Sequence, residues 1–211
     1  MKIERHLNLA SLAACASLIS LAALCAGCSI AVDKNKNGED KNVKIDTPLG
    51  GVHVTSDSTT AVDVGLPVYP GAKLASDSGN DHDKSADIHF GFGDWQFRIK
   101  VVKYQTSDSK DQVLAFYKKA LGRYGSVIQC NGNSAVGSPT ITSEGLTCDD
   151  DSGKAAHGHN VNVDMSQSLR AGSKRHQHIM GIEKSDGSDT IFSLVELDLP
   201  AGSDNGKPES N

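Results

Sequence analysis

"ADIHFGFGDWQFRIKVVKYQ", residues 86–105, is the stretch on which the fold turns. In its second half Trp95, Phe97, Ile99 and Val101 alternate with Gln96, Arg98 and Lys100. Period two in aromatic and β-branched residues specifies an antiparallel strand buried on one face. "ADIHFGF" reads as its hairpin partner, and the glycines of "GFGD" turn the chain between them.

Upstream, "VKID" and "GVHV" alternate in the same way around "TPLG", which predicts a second hairpin across residues 43–54. Residues 59–65 suit one short helical turn. "GLPVYPGAKL", 65–74, is a rigid extended segment set by two prolines, with Val68, Tyr69 and Leu74 free to pin it to the core. Downstream, Ser109 and Gln112 have capping-box spacing. Val113, Phe116, Tyr117, Ala120, Leu121 and Tyr124 then recur at helical spacing, and Gly125 supplies a stop. "SVIQC", "PTITS", "GLTC", "NVNVDMS", "RHQHIMGIEK" and "TIFSLVELDL" read as further strands. The expected fold class is α+β: an antiparallel β-sheet with one principal amphipathic helix packed on one face.

The chain opens with Lys2 and Arg5, then an apolar run at 7–24, then the small residues Ala26 and Gly27 before Cys28. This is the layout of a secretory signal peptide, and "CAGC" resembles a bacterial lipobox. The expected organisation is a signal peptide at 1–27, a flexible lipid-proximal tether at 28–42, a single α+β domain at 43–199 and a disordered tail at 200–211. Lipidation is expected at Cys28. Cys25 stands where a lipobox usually has Leu, so "LAAC" ending at Cys15, cleavage near Ala26 and an uncleaved anchor are the alternatives. Ser29 carries no inner-membrane retention signal, so the expected location is the cell envelope, membrane-anchored, at the outer membrane facing the periplasm or the surface.

Once Cys15 and Cys25 leave with the signal, Cys130 and Cys148 remain as an even pair in an oxidising compartment, which favours a disulfide. A redox pair or two thiolate ligands would be expected to show C-x-x-C spacing, and these two do not. The net charge is −5 over 211 residues. Cleavage at Cys28 would make it one unit more negative. With no block of Lys or Arg, nucleic acid is not an expected partner, while the membrane, through the lipid, is.

"GLPVYPGAK" (65–73), "DWQFRIKVVKYQT" (94–106) and "VLAFYKKALGRYG" (113–125), in that order, resemble a group of uncharacterised bacterial lipoproteins. That group pairs a Tyr-Pro-Gly-Ala segment with a Phe-Tyr helix ending in Gly; "GSKRHQH" (172–178) is similar as well. The resemblance covers residues 43–199 and implies a family without implying an activity.

Histidine is the chemical lead. His157 and His159 form one H-x-H and His176 and His178 another. Residues two apart on a strand share a face, so paired segments would bring four imidazoles together for Zn²⁺ or Cu²⁺. The competing reading puts "SKRHQHIM" on the polar outer face of a strand, with Lys174 on the imidazole side repelling a cation. Asp149, Asp150 and Asp151 lie close to the first pair in sequence. Asp81, His82 and Asp83 form a weaker cluster in a loop. Asp33, Asn35, Asn37 and Gly38 begin like a calcium loop, but Lys44 stands where a bidentate Glu is needed. No G-x-S-x-G, H-E-x-x-H, P-loop or dinucleotide fingerprint is present, so no catalytic residue is expected. The sequence favours a non-enzymatic binding or structural role, with a metal-binding domain as the alternative.

Overall fold

The computed structural model describes residues 28–34, 40–56, 58–75, 84–149, 167–185 and 189–200. The alternating segments pair antiparallel, as their period requires. The first are β1 Ser29–Lys34, β2 Asp40–Thr47, β3 Gly50–Ser56, β4 Lys73–Leu74, β5 Ser85–Phe92 and β6 Trp95–Thr106. The helix α1, Lys110–Leu121, follows. Then come β7 Ile128–Asn131, β8 Ser134–Ala135, β9 Gln167–Gly172, β10 His176–Ser185 and β11 Thr190–Asp198. They form one eleven-stranded sheet in the order β1-β2-β3-β5-β6-β11-β10-β9-β7-β8, with β4 added alongside β6.

The architecture is therefore an antiparallel sheet with a single short helix among the described residues, richer in strand than a balanced α+β fold. The two predicted hairpins pair as expected, Val43 with Val54 and Phe90 with Phe97. Three expectations are corrected. Ser29–Lys34, placed in a tether by its polar flank, is an exposed edge strand whose Ile30 pairs with Ile45. "PTITS" and "GLTC" form turns, closed by Leu146 N–H donating to Thr142 Oγ1 at 3.0 Å. Nor is β6 buried on one face only. Ile99 is buried on one side, and Val102 and Tyr104 are buried on the other. The strand expected at "NVNVDMS", the tail beyond residue 200 and the signal region lie outside the described residues.

Helix α1 begins where Gln112 Oε1 accepts the Ser109 N–H at 3.0 Å, one half of the predicted capping box. Its buried face is Val113, Leu114, Tyr117 and Leu121. That face packs on β9 and β10, over Val102, Tyr104, Leu169, Met180, Phe192 and Leu194. Phe192 is the hub, ringed by Tyr69, Tyr104 and Tyr117 at centroid distances of 6.3, 5.9 and 5.5 Å. The opposite face of the sheet carries a smaller cluster of Ile99, Ile179, Val195 and Leu197.

Cys130 and Cys148 are joined in a disulfide with Cα atoms 5.6 Å apart, packed with Ile128 and Leu146. The bridge ties β7, near one sheet margin, to the turn-rich loop after it. Replacing both cysteines by serine is expected to cost about 3 kcal/mol, the chain-entropy value for a loop of this length. Denaturant unfolding of the double variant checks this, and an unchanged midpoint would deny the bridge that role.

Candidate metal centre

The polar half of the helix-bearing face starts from a short turn. Asp63 Oδ2 accepts the Thr60 N–H at 2.8 Å and the Thr60 hydroxyl at 2.6 Å. The turn continues as Val64 N–H bonds Thr60 O and Leu66 N–H bonds Ala61 O. Ala61, Val64 and Leu66 are buried, which clamps the turn onto the sheet. Gly65 closes it at φ +74°, and a Cβ there would stand 2.5 Å from Tyr124 Oη, so a larger residue meets both strain and a clash. Three successive carbonyls of this turn then reach the sheet and the helix end. Asp63 O accepts Lys100 Nζ at 2.9 Å, Val64 O accepts His178 Nδ1–H at 3.0 Å, and Gly65 O accepts the Tyr124 hydroxyl.

Register brings the rest together. On β10, His176 lies opposite Asp198 and His178 opposite Glu196 of β11. Those in turn lie opposite Arg98 and Lys100 of β6. Directly opposed residues share a face, so one patch holds two imidazoles, two carboxylates and two cations. His178 is 2% exposed. Tyr124 stacks on its ring at 3.6 Å, and the ring of His176 stands edge-on at 4.9 Å. Tyr124 can do this because α1 ends at Leu121 and a 3-10 turn, Gly122–Tyr124, carries its side chain over the sheet.

The hydrogen bonds fix which ring atoms are free. His178 donates Nδ1–H to Val64 O, leaving a lone pair on Nε2, and that atom is buried without a hydrogen-bond partner. His176 Nδ1 bonds Asp198 Oδ1, which turns Nε2 of His176 toward Glu196 Oε1, 4.0 Å away. One ligand atom from each of His176, His178 and Glu196 lies within 4.8 Å of the others. A tetrahedral ion with bonds of about 2.0–2.1 Å needs its ligand atoms roughly 3.3 Å apart. The half-exposed His176 can swing to close that gap. Imidazoles whose second nitrogen is tied to a carboxylate or a backbone carbonyl are the usual form of a metal ligand. The other Glu196 oxygen is held by Lys100 Nζ at 2.6 Å, which leaves Oε1 for a monodentate bond.

Burial pushes the His178 pKa below its ordinary 6.5; the Val64 carbonyl and the carboxylates of Glu196 and Asp198 oppose that, and His176 adds to it. His178 is therefore neutral, with its lone pair available. The unfolded chain binds this proton more readily than the folded one. The stability contributed is full above pH 6.5 and is lost as pH falls through the lowered folded value. In the metal-free chain, acidification below neutrality is expected to lower the denaturation midpoint. His178→Phe should flatten that slope, and an equal slope in both would assign it elsewhere.

The structure places the predicted residues unevenly. His176 and His178 meet, but His157 and His159 lie outside the described residues, as do Asp81, His82, Asp83, Asp150, Asp151, Asn35, Asn37 and Gly38. Asp149 is described and exposed, with no place in the cluster. The outer-face reading of "SKRHQHIM" is corrected: Gln177 and His178 are both buried. The facing cation is also corrected. Lys174 precedes β10 in a bend, and Lys100 of β6 is the amine beside the site. Glu196, Asp198, Tyr124 and the carbonyls of the expected turn near residues 59–65 are additions to the site. His53 and His89 share this face further along the sheet, their Nε2 atoms bonded to Asp46 Oδ1 at 2.9 Å and Gln96 Oε1 at 2.7 Å.

Comparisons with protein-family models, with curated proteins and with solved structures found no match.

Proposed function

We propose that this chain is a cell-envelope lipoprotein whose domain is a non-enzymatic binding module for a transition-metal ion, Zn²⁺ or Cu²⁺. His176, His178 and Glu196 supply the ligands. The observation that carries the reading is His178 Nε2, a buried lone pair with no hydrogen-bond partner beside a second imidazole and a carboxylate oxygen. An orphaned buried polar atom costs about 1–3 kcal/mol, and an ion bound there removes that cost. Asp198 and Val64 orient the rings, and Lys100 limits affinity by competing for Glu196.

The signal-like segment at 1–27 and the cysteine at 28 support attachment to the envelope, by a lipid on Cys28 and at the outer membrane. No helix among the described residues is long and apolar enough to cross a membrane. Cys28 is exposed and unpaired, which supports that reading. Calorimetric titration of chelator-treated full-length chain with Zn²⁺ and with Cu²⁺ is expected to show one equivalent bound. No heat with either ion would overturn the metal reading.

A further inference from the structure

The face of the sheet turned away from α1 is apolar from β1 to β6, and at one end its side chains are exposed. Ile30 is 72% exposed, Leu49 69%, Phe92 56% and Trp95 40%. Phe90, also exposed, meets Trp95 edge-on at 5.4 Å, and Phe92 pairs with Trp95 across the hairpin. Large exposed aromatic and aliphatic groups clustered at one edge mark a contact surface.

The register says what that surface meets. Ser29 pairs with Asp46, Asp46 with Gly51, Gly51 with Gly91 and Gly91 with Gln96. Cys28 is one residue before this row, level with the Phe92–Trp95 pair and the turn that holds Leu49. The two hairpin tips touch, as Gly93 N–H donates to Leu49 O at 3.3 Å. At about 4.8 Å per strand step, Cys28 stands three steps from Phe92, roughly 14 Å along the same edge. In the sequence the apolar run at 7–24 precedes Cys28. Attachment at Cys28 would set the membrane beside the patch.

We propose that the sheet edge bearing Leu49, Phe90, Phe92 and Trp95 docks into the phospholipid interface, so that the domain sits against the bilayer. This rests on membrane attachment at Cys28. Aromatic side chains favour the headgroup boundary, and a second weak contact converts a single flexible anchor into a fixed orientation. Docking by this edge leaves the His176–His178 face of the sheet lateral to the membrane and open to solvent.

Trp95 is the single tryptophan of the chain and reports on the contact directly. The full-length chain, purified from membranes, is reconstituted into phosphatidylcholine–phosphatidylglycerol vesicles, with and without lipid brominated near the headgroup. Trp95 emission is expected to shift to the blue and to be quenched by the brominated lipid. Leu49→Ser with Phe92→Ser should abolish that quenching. Intact mass of the same sample reports the anchor separately. A lipidated chain whose Trp95 is untouched by brominated lipid overturns the docking and leaves the anchor standing. An unlipidated chain whose Trp95 is quenched overturns the anchor and sustains the docking.

Discussion

His178→Ala is expected to weaken Zn²⁺ binding by more than about 100-fold, beyond the 10–100-fold that loss of an orienting partner costs. The reason is that His178 is the one ligand already fixed. Tyr124 stacks on its ring, Val64 O holds Nδ1, and Nε2 has no competing partner. Asp198→Asn should fall within that 10–100-fold range, because it disturbs only the orientation of His176. Lys100→Met should strengthen binding, since it frees the second oxygen of Glu196. Calorimetry on the three variants distinguishes a metal site from a structural histidine cluster. A merely structural His178 would change the unfolding midpoint and leave the Zn²⁺ isotherm as it was. Glu196→Gln, close to the parent in shape, guards against a folding defect and should also lose most of the affinity.

Phe192→Ala is expected to destabilise the domain by about 3–5 kcal/mol, the range for deleting a buried aromatic ring. Phe192 is fully buried at the meeting point of β11, the Tyr69 segment and α1, so no neighbour can fill the space without leaving its own contacts. The effect should appear as a lower denaturant midpoint with an unchanged slope. A loss below 1 kcal/mol would mean that α1 and the Tyr69 segment are not held through this ring.

The pairing of "ADIHFGF" with "WQFRIKVVKYQ" is legible because strict alternation around a glycine turn leaves one register that places both apolar sets on the same face of the sheet. Helix α1 is legible because its spacing and cap agree. The metal patch is harder to read, and the reason is a single irregularity. Between Ile182 and Lys184 the β10–β11 register shifts by one residue. Extending the Ser185–Thr190 pairing without that shift would set His178 opposite Leu197 and lose Glu196 from the site. A bulge of this kind turns over every later pair, and alternation alone does not announce it. The turn at 59–65 is legible as a turn, but its part in the site is silent. Its contribution is made through backbone carbonyls, which carry no residue-specific signal. The edge strand β1 escapes notice because charged residues flank its short apolar alternation of Ile30 and Val32.

The most direct test of the central claim is the X-ray absorption spectrum of the full-length chain loaded with one equivalent of Zn²⁺. The account predicts two imidazole nitrogens and oxygen ligands in the first shell, with the imidazole scattering reduced in His178→Ala. A shell of oxygen alone, or one that His178→Ala leaves unchanged, would contradict it.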